Sequence, residues 1–191
     1  MKTLVMFSMM LLLSFSAFAE ENRTPSPDRK ETIVYNCGDT SCSAWVETGG
    51  EKHFFFQDVP TNTVSAKWLS PNLAQVSFSC GSPCSVSFFY TKGKGVSKDI
   101  HDVLAVNPKR SCVLIPVEDG IATYSIFGKT QEPSLWHAKY NDRKFNFFTQ
   151  SAVIFSTIHA KFDQDGTLQL NYTQKNGQDA QHKIIKSCGE K

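Results

Sequence analysis

Short runs of β-prone residues, separated by turn signals, make up the chain from Thr32 onward. Polar and apolar residues alternate with a period of two, most clearly over residues 76–79 and 85–88. This alternation is typical of strands with one buried face. Hairpins are predicted at the glycine- and asparagine-bearing turns between runs, namely Thr48-Gly-Gly50, Ser70-Pro-Asn72, Glu118-Asp-Gly120 and Asp163–Gly166. Residues 97–106 are the best candidate for a short helix, and the rest predicts an all-β protein.

One stretch of the chain is echoed 43 residues later, counted from Cys37 to Cys80. Asn36-Cys-Gly-Asp-Thr-Ser-Cys42 resembles Ser79-Cys-Gly-Ser-Pro-Cys84. Repeats of about 40–45 residues are typical of four-stranded propeller blades, but a closed propeller needs at least about four blades. We therefore predict an antiparallel meander that forms a disulfide-stapled sandwich or barrel-like sheet, with propeller-like repeats as the alternative.

The N-terminus has the pattern of an export signal. Lys2 precedes an apolar run over residues 4–18, and Ala17-Phe-Ala19 places small residues where a signal peptidase cleaves. This predicts a signal peptide over residues 1–19, with the protein secreted or periplasmic after cleavage near Ala19. A membrane anchor needs about 20 apolar residues, and neither this run nor any later one is long enough. Residues 20–30 predict a flexible leader, and residues 31–191 a single β-rich domain.

The six cysteines form an even set, which in an exported chain predicts disulfides. Two pairs enclose short turn-rich loops, Cys37 with Cys42 and Cys80 with Cys84. The remaining pair, Cys112 and Cys188, would tie the middle of the chain to its end. Zinc is the alternative for paired cysteines, because the spacing alone permits it. An oxidising compartment favours disulfides, and we expect no metal ligands here.

Composition and charge exclude two classes of protein. With 40% hydrophobic and 12% aromatic residues the chain is too apolar to be disordered. Its formal net charge of +2 excludes a polybasic nucleic-acid binder.

Catalytic signals are sparse. The five histidines share no metal-binding spacing, and the chain has no nucleophile elbow or phosphate-binding glycine loop. We therefore expect no cofactor and lean towards a protein that is not an enzyme. A secreted hydrolase is the alternative, and it would collect residues such as Asp99, His101, Asp102 or His137 in a deep pocket.

Aromatic and basic residues are better candidates for a binding surface. Phe54-Phe-Phe56 places rings on both faces of one strand, and Phe88-Phe-Tyr90 repeats the pattern. A glycine-bearing tip with three lysines follows, and such a loop can enter an acidic cleft. The candidate binding residues are Phe55, Phe89, Tyr90, Lys92, Lys94 and Lys98. The alternatives are that a second β layer covers the rings and that the tip is a solvated hairpin.

Two short segments carry a family resemblance. Tyr90-Thr-Lys-Gly93 resembles the loop motif of bacterial periplasmic lysozyme inhibitors, and Tyr35-Asn-Cys37 is similar to their start. In that family a loop inserts into the acidic catalytic cleft of the lysozyme, which implies a contact role for Tyr90 and Lys92. The resemblance covers fewer than ten residues, and the chain is longer than that family's domain.

These observations favour an exported, non-enzymatic domain that binds another protein. Its most concrete form is a periplasmic inhibitor or immunity protein against a cell-envelope-attacking enzyme. The second alternative, besides the hydrolase, is a surface or assembly accessory subunit that uses an open strand edge. The partner and the oligomeric state stay open.

Overall fold

The computed structural model describes residues 21–128, 133–150 and 153–189, which form four antiparallel sheets. The predicted signal peptide lies outside the described residues. The strands of the first sheet are β1 (Glu21–Pro25), β2 (Glu31–Cys37), β3 (Cys42–Thr48) and β4 (Glu51–Val59). Those of the second are β5 (Val64–Ser70), β6 (Leu73–Ser79), β7 (Ser85–Thr91), β8 (Gly95–Val96) and β9 (Ile100–His101). Those of the third are β10 (Ala105–Asn107), β11 (Cys112–Val117), β12 (Gly120–Ser125) and β13 (Trp136–Lys139). The fourth contains β14 (Ile158–Phe162), β15 (Leu168–Thr173) and β16 (Asp179–Ile184), preceded by a 3₁₀ turn at Ile154–Thr157.

Strands that follow one another along the chain are neighbours in each sheet, so every sheet is a meander. The one departure is in the second sheet, where β8 and β9 both pair with β7. The predicted all-β antiparallel meander is confirmed. The described residues contain no helix that is long and apolar enough to cross a membrane.

Consecutive sheets pack face to face around three separate cores. Ile33 and Val46 of the first sheet pack with Val76 of the second. Phe89 of the second packs with Val113 of the third in a smaller core. The largest core joins the third and fourth sheets and contains the buried rings Phe145, Phe147 and Tyr172, together with Leu114, Leu168 and Leu170. Each sheet therefore buries apolar residues against the next one in sequence.

The disulfides join Cys37 to Cys42, Cys80 to Cys84 and Cys112 to Cys188, which are the predicted pairs. The echoed cysteine loops occupy equivalent places, because each joins the second and third strands of its sheet. The 112–188 bond ties the third sheet to the C-terminal end of the chain. All six cysteines are in disulfides, which fits a compartment outside the reducing cytosol.

The structure differs from two local predictions. The expected leader contains β1, which pairs with β2 from Glu21↔Asn36 to Pro25↔Thr32. The polar side chains of this segment predicted a leader without secondary structure. An edge strand is held by backbone hydrogen bonds, so it needs few apolar residues. The short helix expected over 97–106 is also wrong. This segment contains β9 and the start of β10, and Asp102 between them has φ +51°, which no right-handed helix contains.

Candidate binding cleft

A cleft of about 570 Å³ lies between the second and third sheets. It forms because the fourth strand position of the second sheet is filled by two very short strands, β8 and β9. So short an edge covers only part of the facing sheet. The third sheet consequently presents part of its inner face to solvent.

The floor of the cleft is apolar and comes mainly from the third sheet. Ile115, Pro116 and Tyr124 are half-buried there, and Leu135 is 39% exposed. Val113 and Ile126, which are buried in the core beneath, reach its inner wall. Predominantly apolar clefts with a few polar groups at the rim are typical ligand and partner sites.

The rim on the β9 side is polar. His101 Nε2 lies 3.3 Å from Asp99 Oδ2, and both side chains are exposed. Asp102 is held differently, since its carboxylate accepts a hydrogen bond from the Ser85 N–H at 2.8 Å. Its own N–H donates to the Ser85 carbonyl at 2.9 Å. The Asp102 carboxylate therefore fixes β9 to the start of β7.

The lysine-bearing tip lies beside this cleft. The turn between β7 and β8 exposes Lys92 and Lys94, and Gly93 has φ +87°, a conformation that glycine adopts without strain. Lys94 Nζ lies 5.4 Å from the centroid of the Phe127 ring. Phe127 is flanked in sequence by two cleft residues, Ile126 and Gly128. Lys98, also exposed, lines the cleft itself. Lys98 therefore lines the cleft and Lys94 lies beside it, on a tip that also exposes Lys92.

The three aromatic candidates are in the cores. Phe55 is 5% exposed, Phe89 is fully buried and Tyr90 is 3% exposed. Phe89 and Tyr90 lie on β7, whose two faces are covered because the third and first sheets pack on opposite sides of the second. Phe55 lies on β4 and packs in the core between the first and second sheets. The prediction that these three rings contact a partner is therefore wrong, and they pack in the cores instead. In the Phe54-Phe-Phe56 run, Phe54 is the exposed ring, at 40% of its surface.

Tyr90 also makes a buried polar contact between sheets. Its hydroxyl donates to Glu31 Oε1 at 2.9 Å. Burial and the neighbouring carboxylate raise the pKa of Tyr90 to about 12. The residue that the family resemblance singled out is therefore a neutral donor inside the core at physiological pH.

The residues named for a hydrolase are divided between two places. Asp99, His101 and Asp102 line the cleft, whereas His137 pairs with Asp119 at 2.9 Å on the third sheet, outside it. The apolar floor residues Ile115, Tyr124 and Leu135 were not predicted. Nothing in their local sequence distinguishes them from ordinary core residues, and only the short facing strands leave them accessible.

One group of potential metal ligands lies at the end of the cleft. Cys80 Sγ, Cys84 Sγ and a ring nitrogen of His101 are all within 4.8 Å of one another. The two sulfur atoms are bonded to each other, so this oxidised form offers no thiolate to a metal.

Comparison with known proteins identifies no family for this chain. No protein-family model matches the chain, and no curated protein matches it. Among solved structures, it is similar to the crystal structure of TolB from Acinetobacter baumannii, with 10% sequence identity and a TM-score of 0.33. The match covers 88% of this chain and 44% of the TolB chain, so the chain spans less than half of that protein's length. An overlap this low establishes neither a shared fold nor a function.

Proposed function

We propose that this is an exported, non-enzymatic protein that binds another protein through the lysine-bearing tip and the adjoining cleft. In its most concrete form it inhibits, or gives immunity to, an enzyme that attacks the cell envelope. The observation that carries the proposal is an accessible apolar floor lined by exposed Lys98, with Lys94 beside it on a tip that also exposes Lys92.

The two halves of this surface have different roles. Lysines at an accessible tip raise the association rate with an acidic partner and select against basic ones. The apolar floor supplies area that a partner side chain can bury, and such centres carry most of the binding energy in protein complexes. The disulfide-stapled sheets support the proposal, because a rigid scaffold loses little conformational freedom on binding.

The experiment measures inhibition of a panel of purified peptidoglycan hydrolases by the mature, oxidised protein. We expect a stoichiometric complex with at least one enzyme. The Lys92→Glu/Lys94→Glu variant should weaken inhibition about tenfold or more, mainly by slowing association. The matched control is Lys161→Glu/Lys183→Glu, which reverses the same charge on the exposed outer part of the fourth sheet. Equal weakening by both variants would show that only net charge matters and would refute a site at the tip.

A hydrolase is the second candidate, because three of the residues named for it, Asp99, His101 and Asp102, line the cleft. Turnover of a peptidoglycan or peptide substrate by the wild type, abolished in His101→Ala, would favour it over the binding protein. Asp102 would be a poor general base, since its carboxylate already accepts the Ser85 N–H.

A further inference from the structure

The corner formed by the Cys80–Cys84 loop and β9 combines a disulfide with an imidazole. Pairing of Val86 with His101 across β7 and β9 brings the histidine beside the loop. Cys80 and His101 are exposed, and Cys84 is half-buried, so solvent and small ions reach all three. The other two disulfides each have a cysteine, Cys42 or Cys112, that is 1% exposed. Neither belongs to a group of three potential metal ligands within the described part of the chain.

The residue types and their spacing suit zinc once the sulfur–sulfur bond is broken. Three residues separate the cysteines, within the two to four that zinc-binding pairs use. Their Cα atoms are 5.1 Å apart, so two thiolates can separate to positions about 2.3 Å from one ion without movement of the strands. A ring nitrogen of His101 is already within 4.8 Å of both sulfur atoms, and rotation of this exposed side chain can bring it to the ion.

The surroundings of His101 already orient it for this purpose. Its Nε2 lies 3.3 Å from Asp99 Oδ2, so the proposed metal ligand is the other ring nitrogen, Nδ1. A carboxylate on the second ring nitrogen is the usual support of a metal-bound histidine. The two hydrogen bonds between Asp102 and Ser85 hold β9 next to Cys84. The scaffold of the site is therefore present before reduction.

We propose that reduction of the Cys80–Cys84 disulfide converts this corner into a zinc site with two thiolates and one imidazole as ligands. The reductant is a dithiol, small or protein-borne. It transfers two electrons and two protons to the cystine and becomes a disulfide itself. Zinc then displaces the two thiol protons, and water fills the fourth tetrahedral position. The oxidised protein cannot bind the ion there, so the redox state of one exposed bond decides whether the site exists.

The test uses the full mature protein, treated anaerobically with dithiothreitol and then freed of it. Alkylation and peptide mapping identify which cysteines have become thiols. Zinc binding is measured by competition with a chromophoric chelator, and cobalt serves as a spectroscopic probe. We expect one zinc per chain, protection of Cys80 and Cys84 from alkylation by zinc, and thiolate-to-cobalt charge-transfer bands.

The variants separate ligands from bystanders. His101→Ala should weaken zinc binding about tenfold or more, and Asp99→Asn by about tenfold, because an outer carboxylate contributes that much in known sites. The control His159→Ala removes an exposed histidine from the fourth sheet and should change nothing. His101 is exposed, so we expect the His101→Ala variant to fold like the wild type. Zinc binding that is equal in wild type and His101→Ala would overturn the proposal. So would the absence of binding when Cys80 and Cys84 are both thiols, or protection of other cysteines instead.

Discussion

Replacement of Tyr90 by phenylalanine removes a single buried hydroxyl that joins the first and second sheets. Tyr90 and Glu31 are both almost fully buried, and their hydrogen bond is 2.9 Å long. A hydrogen bond to a charged group contributes about 1.5–3 kcal/mol. The ring of phenylalanine fills the same space, so no cavity term is added. We expect the Tyr90→Phe variant to lose about 2 kcal/mol of unfolding free energy.

The assay is urea unfolding of the oxidised protein, followed by tryptophan fluorescence. The midpoint should fall while the denaturant slope stays unchanged, since the area exposed on unfolding is the same. Tyr35→Phe is the matched control. Tyr35 is half-buried against the same core, and its hydroxyl has no hydrogen bond to the described residues. It should lose less than about 0.5 kcal/mol, and an equal loss in both variants would refute the role assigned to the hydrogen bond.

The same residue gives a pH dependence. The pKa of Tyr90 is about 12 in the folded protein, against 10.0 for an ordinary tyrosine. Between these values the unfolded state has lost the proton that the folded state retains, so the free energy of unfolding falls as the pH rises from about 10 to about 12. Across this pH range the free energy of unfolding should fall less steeply for Tyr90→Phe than for the wild type. Parallel curves for the two proteins would contradict the raised pKa.

Two further stability predictions concern the close approach of the backbone to Gly120 and the long loop closed by the Cys112–Cys188 disulfide. A Cβ at Gly120 would lie 2.1 Å from the Ala138 carbonyl oxygen, so Gly120→Ala should cost about 1–3 kcal/mol in urea unfolding. A Cβ at Gly38 would lie an ordinary 3.8 Å from the Ser41 carbonyl oxygen, so Gly38→Ala should stay close to wild type, and the reverse order would refute the steric reason. Cys112→Ala/Cys188→Ala opens a loop with a sequence separation of 76. The chain-entropy model gives a loss of about 4.5 kcal/mol, and an unchanged melting temperature would contradict it.

Local signals were enough to predict most hairpins and all three disulfides. The turn Glu118-Asp-Gly120 joins β11 to β12, as its Asp-Gly pair predicts. The two short cysteine loops bring their ends together through the turns they contain. Once these four cysteines are paired, Cys112 and Cys188 are the only ones left, so the long-range bond follows by elimination.

Local signals failed where a strand depends on a distant neighbour. The strand β1 has a polar sequence, and it exists because the backbone of β2 is available for pairing. The segments β8 and β9 are two residues each, too short to show any alternation. Their place in the second sheet is set by pairing with β7, which the local sequence does not show.

The sequence alone determined the all-β class, the meander order and the cysteine pairs, because strand alternation, tight turns and short loops act between residues close along the chain. The stacking of sheets decided which aromatic rings are accessible. Phe89 and Tyr90 look like surface candidates in sequence and become core residues because a sheet covers each face of their strand. The same stacking left Leu135 accessible and brought His101 to the Cys80–Cys84 loop. Burial and proximity across sheets depend on which faces meet, and that is a property of the folded chain as a whole.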